Sequence, residues 1–191
     1  IAGVLTGCVQ EGLLTRVNRA TERVLEANGF RVVAVAGQGC CGAIHAHTGD
    51  LEGARTLARR NISAFEAAGV DVVAVNAAGC GAIMKEYGHL LARDRDFAER
   101  AASLAARVRD VAELLGVPGL RSVGRLPLSV TYDAPCHLLH AQKVSLQPLR
   151  LLGSIPGLEL LPPPNPEQCC GGPGINGIPH PALGRSAGSA K

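Results

Sequence analysis

The stretch RVVAVAGQGCCGAIHAH, Arg31–His47, decides how the fold is read. Its first part, Arg31–Ala36, is a short β-branched run of the kind that makes a buried strand. Its second part is a glycine-rich turn carrying two adjacent cysteines, Cys40 and Cys41. The same succession recurs along the chain. Strand-like runs at Ile1–Thr6, Asp71–Asn76, Leu128–Tyr132 and Leu158–Leu161 precede Cys8, Cys80, Cys136 and the pair Cys169–Cys170. In a parallel sheet all seven thiols would lie past the carboxyl ends of strands, along the edge where open α/β folds bind ligands.

Helical patterns separate these runs. Leu14, Val17, Val24 and Leu25 predict a helix over Glu11–Asn28, with Gly29 suited to the position just past its end. Leu51, Ala54, Ala58, Ile62 and Phe65 predict one over Asp50–Ala68, with Asp50 as its N-cap. Phe97, Ala101, Leu104, Val108, Val111 and Leu115 predict a third over Arg93–Leu115, and a fourth is placed over Leu138–Leu152. Alternating strands and helices predict an α/β fold with short, mostly parallel sheets.

The cysteine spacing repeats. Between Cys8 and Cys40 lie 31 residues, and between Cys136 and Cys169 lie 32, each lone cysteine being followed by a Cys-Cys-Gly triplet, Cys40–Gly42 or Cys169–Gly171. This is the mark of an internal duplication. It divides the chain into a first cysteine-rich unit (1–116), a linker (117–127) and a second unit (128–191) that is incomplete. The first unit reaches Cys80 and so offers four thiols; the fourth of the second would fall near position 209, past the last residue. The chain opens without Met and reads as a fragment. The Gly-, Pro- and Ser-rich tail, Gly171–Lys191, is expected to be irregular.

Composition narrows the function. A net charge of +3 with no basic run argues against nucleic acid. No apolar run approaches the roughly 20 residues of a membrane span, and no signal peptide is visible. Both absences predict a cytoplasmic protein, with peripheral association at the inner face of a membrane as the variant. Seven cysteines are an odd count, which fits a closed disulfide set poorly and points to metal binding or redox work. A bridge between adjacent cysteines is strained, whereas neighbouring thiolates on a glycine loop can hold different metals of one cluster. Sulfur ligation alone leaves zinc as an alternative to iron.

Other features carry less weight. Gly37-x-Gly39-x-x-Gly42 imitates a dinucleotide fingerprint, but the next predicted helix starts near Asp50 and no acidic residue follows at the required distance. His45, His47, His137 and His140 lie close to cysteines and could ligate, donate or shuttle protons; His137, beside Cys136, is the best placed. His89 and His180 are expected at the surface. Lys85, Glu86 and Tyr87 are expected on a solvated helix face, as are Arg16, Arg19 and Arg23. No acid–base or nucleophile set converges on the cysteine loops, so no catalytic residue is assigned.

Five segments carry a family resemblance: LTGCVQ (Leu5–Gln10), GCCGAIHAH (Gly39–His47), GCGAIMKEYG (Gly79–Gly88), PCHLLHAQK (Pro135–Lys143) and QCCGGPG (Gln168–Gly174). The chain resembles the cysteine-rich "CCG" domain family found in heterodisulfide reductase, in lactate-utilisation iron–sulfur proteins and, most of all, in the iron–sulfur subunit of glycolate oxidase. The resemblance implies an iron–sulfur cluster, [4Fe–4S] in type. Its ligands would be Cys8, Cys40, Cys41 and Cys80 in the first unit and Cys136, Cys169 and Cys170 in the second. It also implies an electron-transfer subunit of an oxidoreductase. Flavin-bearing partner subunits would oxidise glycolate to glyoxylate, and electrons would leave toward an acceptor such as quinone. The alternatives are a heterodisulfide-reductase-like thiol redox protein, a lactate-utilisation protein and a zinc-stabilised module. The chain departs from the family where Cys-x-x-Cys would close the first unit, since Gly81, Ala82 and Ile83 follow Cys80. It also lacks the ferredoxin-like region of the glycolate oxidase subunit.

Overall fold

A computed structural model describes residues 1–116, 120–121, 124–166, 168–172 and 174–189. Within the linker expected at 117–127, residues 117–119, 122 and 123 lie outside the described residues. The first sheet is built from β1 (Ala2–Val4), β2 (Val32–Val33), β3 (Val72–Val75) and β4 (Val108–Asp110), in spatial order β2-β1-β3-β4 and parallel throughout. Strand order therefore reverses between β1 and β3, and the crevice beyond the carboxyl ends at such a reversal is where open α/β sheets bind ligands.

Helices cover both faces. Helix α1 (Val9–Leu13) and α2 (Thr15–Ala27) follow β1, and α3 (Ala43–His47) and α4 (Leu51–Ala67) follow β2. After β3 come α5 (Ala78–Lys85), α6 (Tyr87–Leu90) and α7 (Ala98–Ala105), and α8 (Val111–Leu115) follows β4. One core layer gathers Ile62, Phe65, Val73, Met84, Tyr87 and Leu104 between the sheet and α4–α7; the other packs Val4, Leu25, Ala74 and Leu115 under α2 and α8. Few aromatic side chains are available, so the layers sit close. A Cβ on Gly3 would meet Val35 at 2.8 Å and Phe65 at 3.2 Å, which explains a glycine inside a central strand.

The α4 expectation is met in detail. Ala54, Ala58, Ile62 and Phe65 are fully buried, and the Asp50 carboxylate caps the helix by accepting from Gly53 N–H at 2.9 Å. Leu51, counted with that apolar face, instead stays exposed. At the end of α2, Gly29 turns the chain with φ of +88°, as expected past a helix end.

The continuous helix expected over Arg93–Leu115 is wrong. It is three elements, α7, β4 and α8. Leu104, Val108 and Val111 satisfy a helical period, but the open edge of β3 needs hydrogen-bond partners. Val73 N–H donates to Arg107 C=O at 3.0 Å, and Val108 pairs with Val73. Asp110 then leaves the strand and caps α8 in a capping box with Glu113. The helix expected over Leu138–Leu152 is likewise split, into a wide π-type turn (His137–Ala141) and α9 (Leu146–Gly153).

The second sheet holds two parallel strands, β5 (Ser129–Thr131) and β6 (Glu159–Leu161). Its register pairs 129 with 159, as the first sheet pairs 2 with 32, the same offset of 30 residues. The repeated cysteine spacing thus reflects a repeated strand–helix–strand unit. The tail, expected to be irregular, contains a short 3-10 turn (Gly174–Gly177) and helix α10 (Pro181–Gly188). Among the described residues no helix is long and apolar enough to cross a membrane.

Candidate metal centre

Each thiol of the first set, and Cys136 of the second, lies beside the start of a helical segment. Cys8 is the N-cap residue of α1, Cys80 lies in the first turn of α5, and Cys136 precedes the His137–Ala141 turn. Cys40 and Cys41 come just before α3, whose N-cap is Gly42. Unpaired N–H groups at helix starts favour an anionic sulfur. The helix after the first triplet therefore begins at Ala43, earlier than the expected Asp50, and the loop that imitates a dinucleotide fingerprint presents sulfur at its tip.

The first four cysteines gather in two pairs. Cys8 Sγ and Cys40 Sγ are 3.7 Å apart, and Cys41 Sγ and Cys80 Sγ are 3.0 Å apart. All are free thiols; Cys41 is buried, Cys40 and Cys80 are half-buried, and Cys8 is exposed. The hydrogen bond between Cys41 and Cys80, with burial added, holds the Cys41 thiol well above its ordinary range. The same bond draws Cys80 below its ordinary value, against the opposing effect of burial. Burial is the main cause that pushes Cys40 up to about 11.

Polar side chains tie these loops together. Gln38 extends β1 beyond its end: its Oε1 accepts from Thr6 N–H and its Nε2 donates to Val4 C=O, each at 3.0 Å. The loop before Cys8 is thereby locked to the loop before Cys40. Beneath the Cys8 loop, Asn18 Nδ2 donates to Thr6 C=O and to Glu11, and Asn76 Nδ2 donates to Asn18 Oδ1 and Thr21 Oγ1. Buried amides satisfied in this way fix loop positions, because breaking any link strands a polar group.

One cavity of about 1020 Å³ receives all seven cysteines: Cys8, Cys40, Cys41, Cys80, Cys136, Cys169 and Cys170. Cys136, Cys169 and Cys170 are exposed at its far wall. The two halves thus share a chamber. His47 and His137 face each other there, ring centroids 5.4 Å apart and nearly stacked. Residues 137–142 dock against α5: Gln142 Nε2 donates to Ala78 C=O at 2.9 Å, and a Cβ on Gly81 would fall 2.6 Å from that nitrogen. Gly79 makes similar room for His137. The glycines on either side of Cys80 therefore serve the contact between halves.

The remaining candidates are placed elsewhere. His45 turns toward Gly53, and its buried Nδ1 meets no hydrogen-bond partner among the described residues. His140 does not line the cavity; His180 and His89 are both exposed, at the surface as expected. Arg16, Arg19 and Arg23 lie on one helix face, with Arg19 paired to Glu11 and Glu22. Tyr87 corrects the reading of a solvated Lys85–Tyr87 face: it is fully buried. A tyrosine followed by glycine on a short polar stretch carries no local sign of burial; its partner, Asn61, is 26 residues away.

The donor set suits a soft metal centre. The described lining offers thiols, imidazoles and glycine backbone, with no carboxylate among them. Among the described residues no three His, Cys, Asp or Glu donors close around one point as a single ion would require. A polynuclear centre takes its thiolates on separate metals, so the pairs at 3.7 and 3.0 Å would have to spread to hold one. The chamber is wide enough for that, and Gly42 N–H points at Cys40 Sγ at 3.5 Å.

A parallel α/β sheet with thiols converging at its strand reversal defines a cysteine-rich α/β domain. The chain belongs to the CCG cysteine-rich domain family, whose model matches residues 2–85 and 130–189. It is 38% identical over 176 residues to the "Probable glycolate oxidase iron-sulfur subunit" of Bacillus subtilis strain 168, covering 91% of this chain and 40% of that protein. It is 35% identical over 186 residues to the "Glycolate oxidase iron-sulfur subunit" of Escherichia coli K12, covering 95% of this chain and 46% of that one. "Lactate utilization protein A" of Geobacillus thermodenitrificans is 34% identical over 166 residues, 86% of this chain and 69% of that protein. The chain thus spans less than half the length of the two glycolate oxidase subunits.

Proposed function

We propose that this chain is the cysteine-rich part of an iron–sulfur electron-transfer subunit serving an oxidoreductase of 2-hydroxy acids, glycolate foremost. The observation that carries the reading is the convergence of seven thiols on one chamber, in a fold whose named relatives are iron–sulfur subunits. Cys8, Cys40, Cys41 and Cys80 form the first ligand set, and Cys136, Cys169 and Cys170 contribute the second. A thiolate-held iron–sulfur centre, [4Fe–4S] in our reading, supplies single-electron capacity with little reorganisation.

The protein's own part is positional. Gln38 and the Asn18–Asn76 network hold the Cys8 and Cys40 loops in register. Helix starts and the Gly42 amide favour anionic sulfur, and Val9, Ile44 and Ile175 add apolar surface to the wall. Substrate oxidation belongs to flavin-bearing partner subunits, and a quinone is the acceptor we favour.

Anaerobic purification followed by iron, sulfide and zinc quantitation and low-temperature EPR tests the reading. Iron and sulfide in equal amounts with a reduced-state EPR signal are expected. Colourless protein holding zinc without sulfide overturns it. Glycolate-dependent reduction of the centre in the presence of the co-purified flavin subunit separates glycolate from lactate. A disulfide-reduction assay identifies the heterodisulfide-reductase-like alternative.

A further inference from the structure

Two residues without thiols grip the buried side of the Cys40–Cys41 loop. Asn61, on α4, and Tyr87, at the start of α6, are both 0% exposed. Asn61 Oδ1 accepts from Gly39 N–H at 2.9 Å, and its Nδ2 donates to Cys40 C=O at 2.9 Å and to the Tyr87 oxygen at 3.2 Å. The Tyr87 hydroxyl donates in turn to Cys41 C=O at 2.8 Å. Every polar atom of both side chains is used, so neither has a group left for a ligand.

The geometry of the peptide bond gives this clamp a consequence. A trans peptide carries its C=O and N–H on opposite sides of a rigid plane. In the unit joining residues 41 and 42, the carbonyl points inward to Tyr87, so the N–H points outward to Cys40 Sγ, 3.5 Å away. The preceding unit has its carbonyl drawn inward by Asn61 in the same sense. Gly42 is needed for the arrangement, with φ of +86° and a hypothetical Cβ only 3.3 Å from the Ala54 backbone. The positive ends of both peptide dipoles are thereby turned to the sulfur side of the loop. Were the carbonyls released, either plane could rotate and present oxygen to the chamber.

We propose that Asn61 and Tyr87 are positioning residues that hold the peptides of the cysteine pair with their N–H groups toward the sulfurs, and so raise the reduction potential of the centre held there. The inference rests on the iron–sulfur reading above. N–H groups aimed at sulfur stabilise added negative charge, which is greater in the reduced state.

The test is a redox titration, followed by EPR, of reconstituted protein with measured iron content. Tyr87→Phe keeps the ring and removes the hydroxyl. At the wild-type midpoint its reduced-to-oxidised ratio should fall roughly tenfold, a shift of about −59 mV for one electron. An unchanged potential and EPR line shape at full iron content overturns the proposal. Ile62→Val, a packing-only change on the same helix as Asn61, should leave the potential where it is; a shift equal to that of Tyr87→Phe also overturns it. Fluorotyrosine at position 87, in a Tyr132→Phe background, keeps the fold and strengthens the donor. It should move the potential upward, and a zero or downward shift is a refutation even where Tyr87→Phe does not fold. Wild-type protein that takes up no iron and sulfide defeats the iron–sulfur reading itself, and this inference with it.

Discussion

The two halves carry nearly the same cysteine spacing and the same strand offset, yet they support their thiols differently. In the first, four parallel strands lie between two helical layers, and the Cys8 and Cys40–Cys41 loops are anchored by half-buried Gln38 and buried Asn61. In the second, two strands with half-buried or exposed residues stand behind three exposed cysteines. Similar spacing therefore does not make equal sites. A loop keeps its sulfur in place only when the core beneath it satisfies the loop's backbone, and a two-stranded sheet buries too little to do that alone.

The largest effect should come from the ligands. Cys41→Ser should abolish iron binding at the first set, whereas Cys169→Ser should leave most of that iron in place, read by iron content per chain; equal loss from both would erase the contrast. Next comes the core. Phe65→Ala should cost about 3–5 kcal/mol in urea unfolding, whereas Leu160→Ala, at a half-buried site, should cost roughly 1 kcal/mol or less. Comparable costs would mean that the second sheet is as well supported as the first. Anaerobic removal of metal should open residues 155–180 to limited proteolysis several-fold faster while residues 1–116 stay resistant. Cutting in the first region at the same rate would show that its loops also depend on metal.

The smallest effect concerns Asp110, whose carboxyl is pushed above its ordinary range by burial and then by Glu113, against the Ala112 N–H and Lys85. A raised folded-state value means the folded protein holds this proton more tightly than the unfolded chain. Its contribution to stability is present below the ordinary carboxylate pKa and is lost as pH rises through the folded value. Asp110→Asn keeps a capping side chain and removes the charge. It should shift the unfolding midpoint upward at pH 7 and leave it unmoved near pH 3; a gain of equal size at both would deny the linkage.

The sequence by itself determined the α/β class, the strand preceding each cysteine loop, and helix α4 with its Asp50 cap. These follow from local rules: side-chain period, glycine at turns, and capping chemistry act within a few residues of chain. Only the tertiary structure decided that Val108–Asp110 is a strand, since a helical apolar period yields to an unpaired sheet edge. It also decided that the two thiol sets share one chamber, that His47 meets His137, and that Gly79 and Gly81 make room for the other half. Asn61 and Tyr87 belong with these, since a hydrogen bond between residues 26 positions apart leaves no trace in the spacing of either. Contacts between distant segments depend on how the layers pack, and packing is settled by the whole core at once.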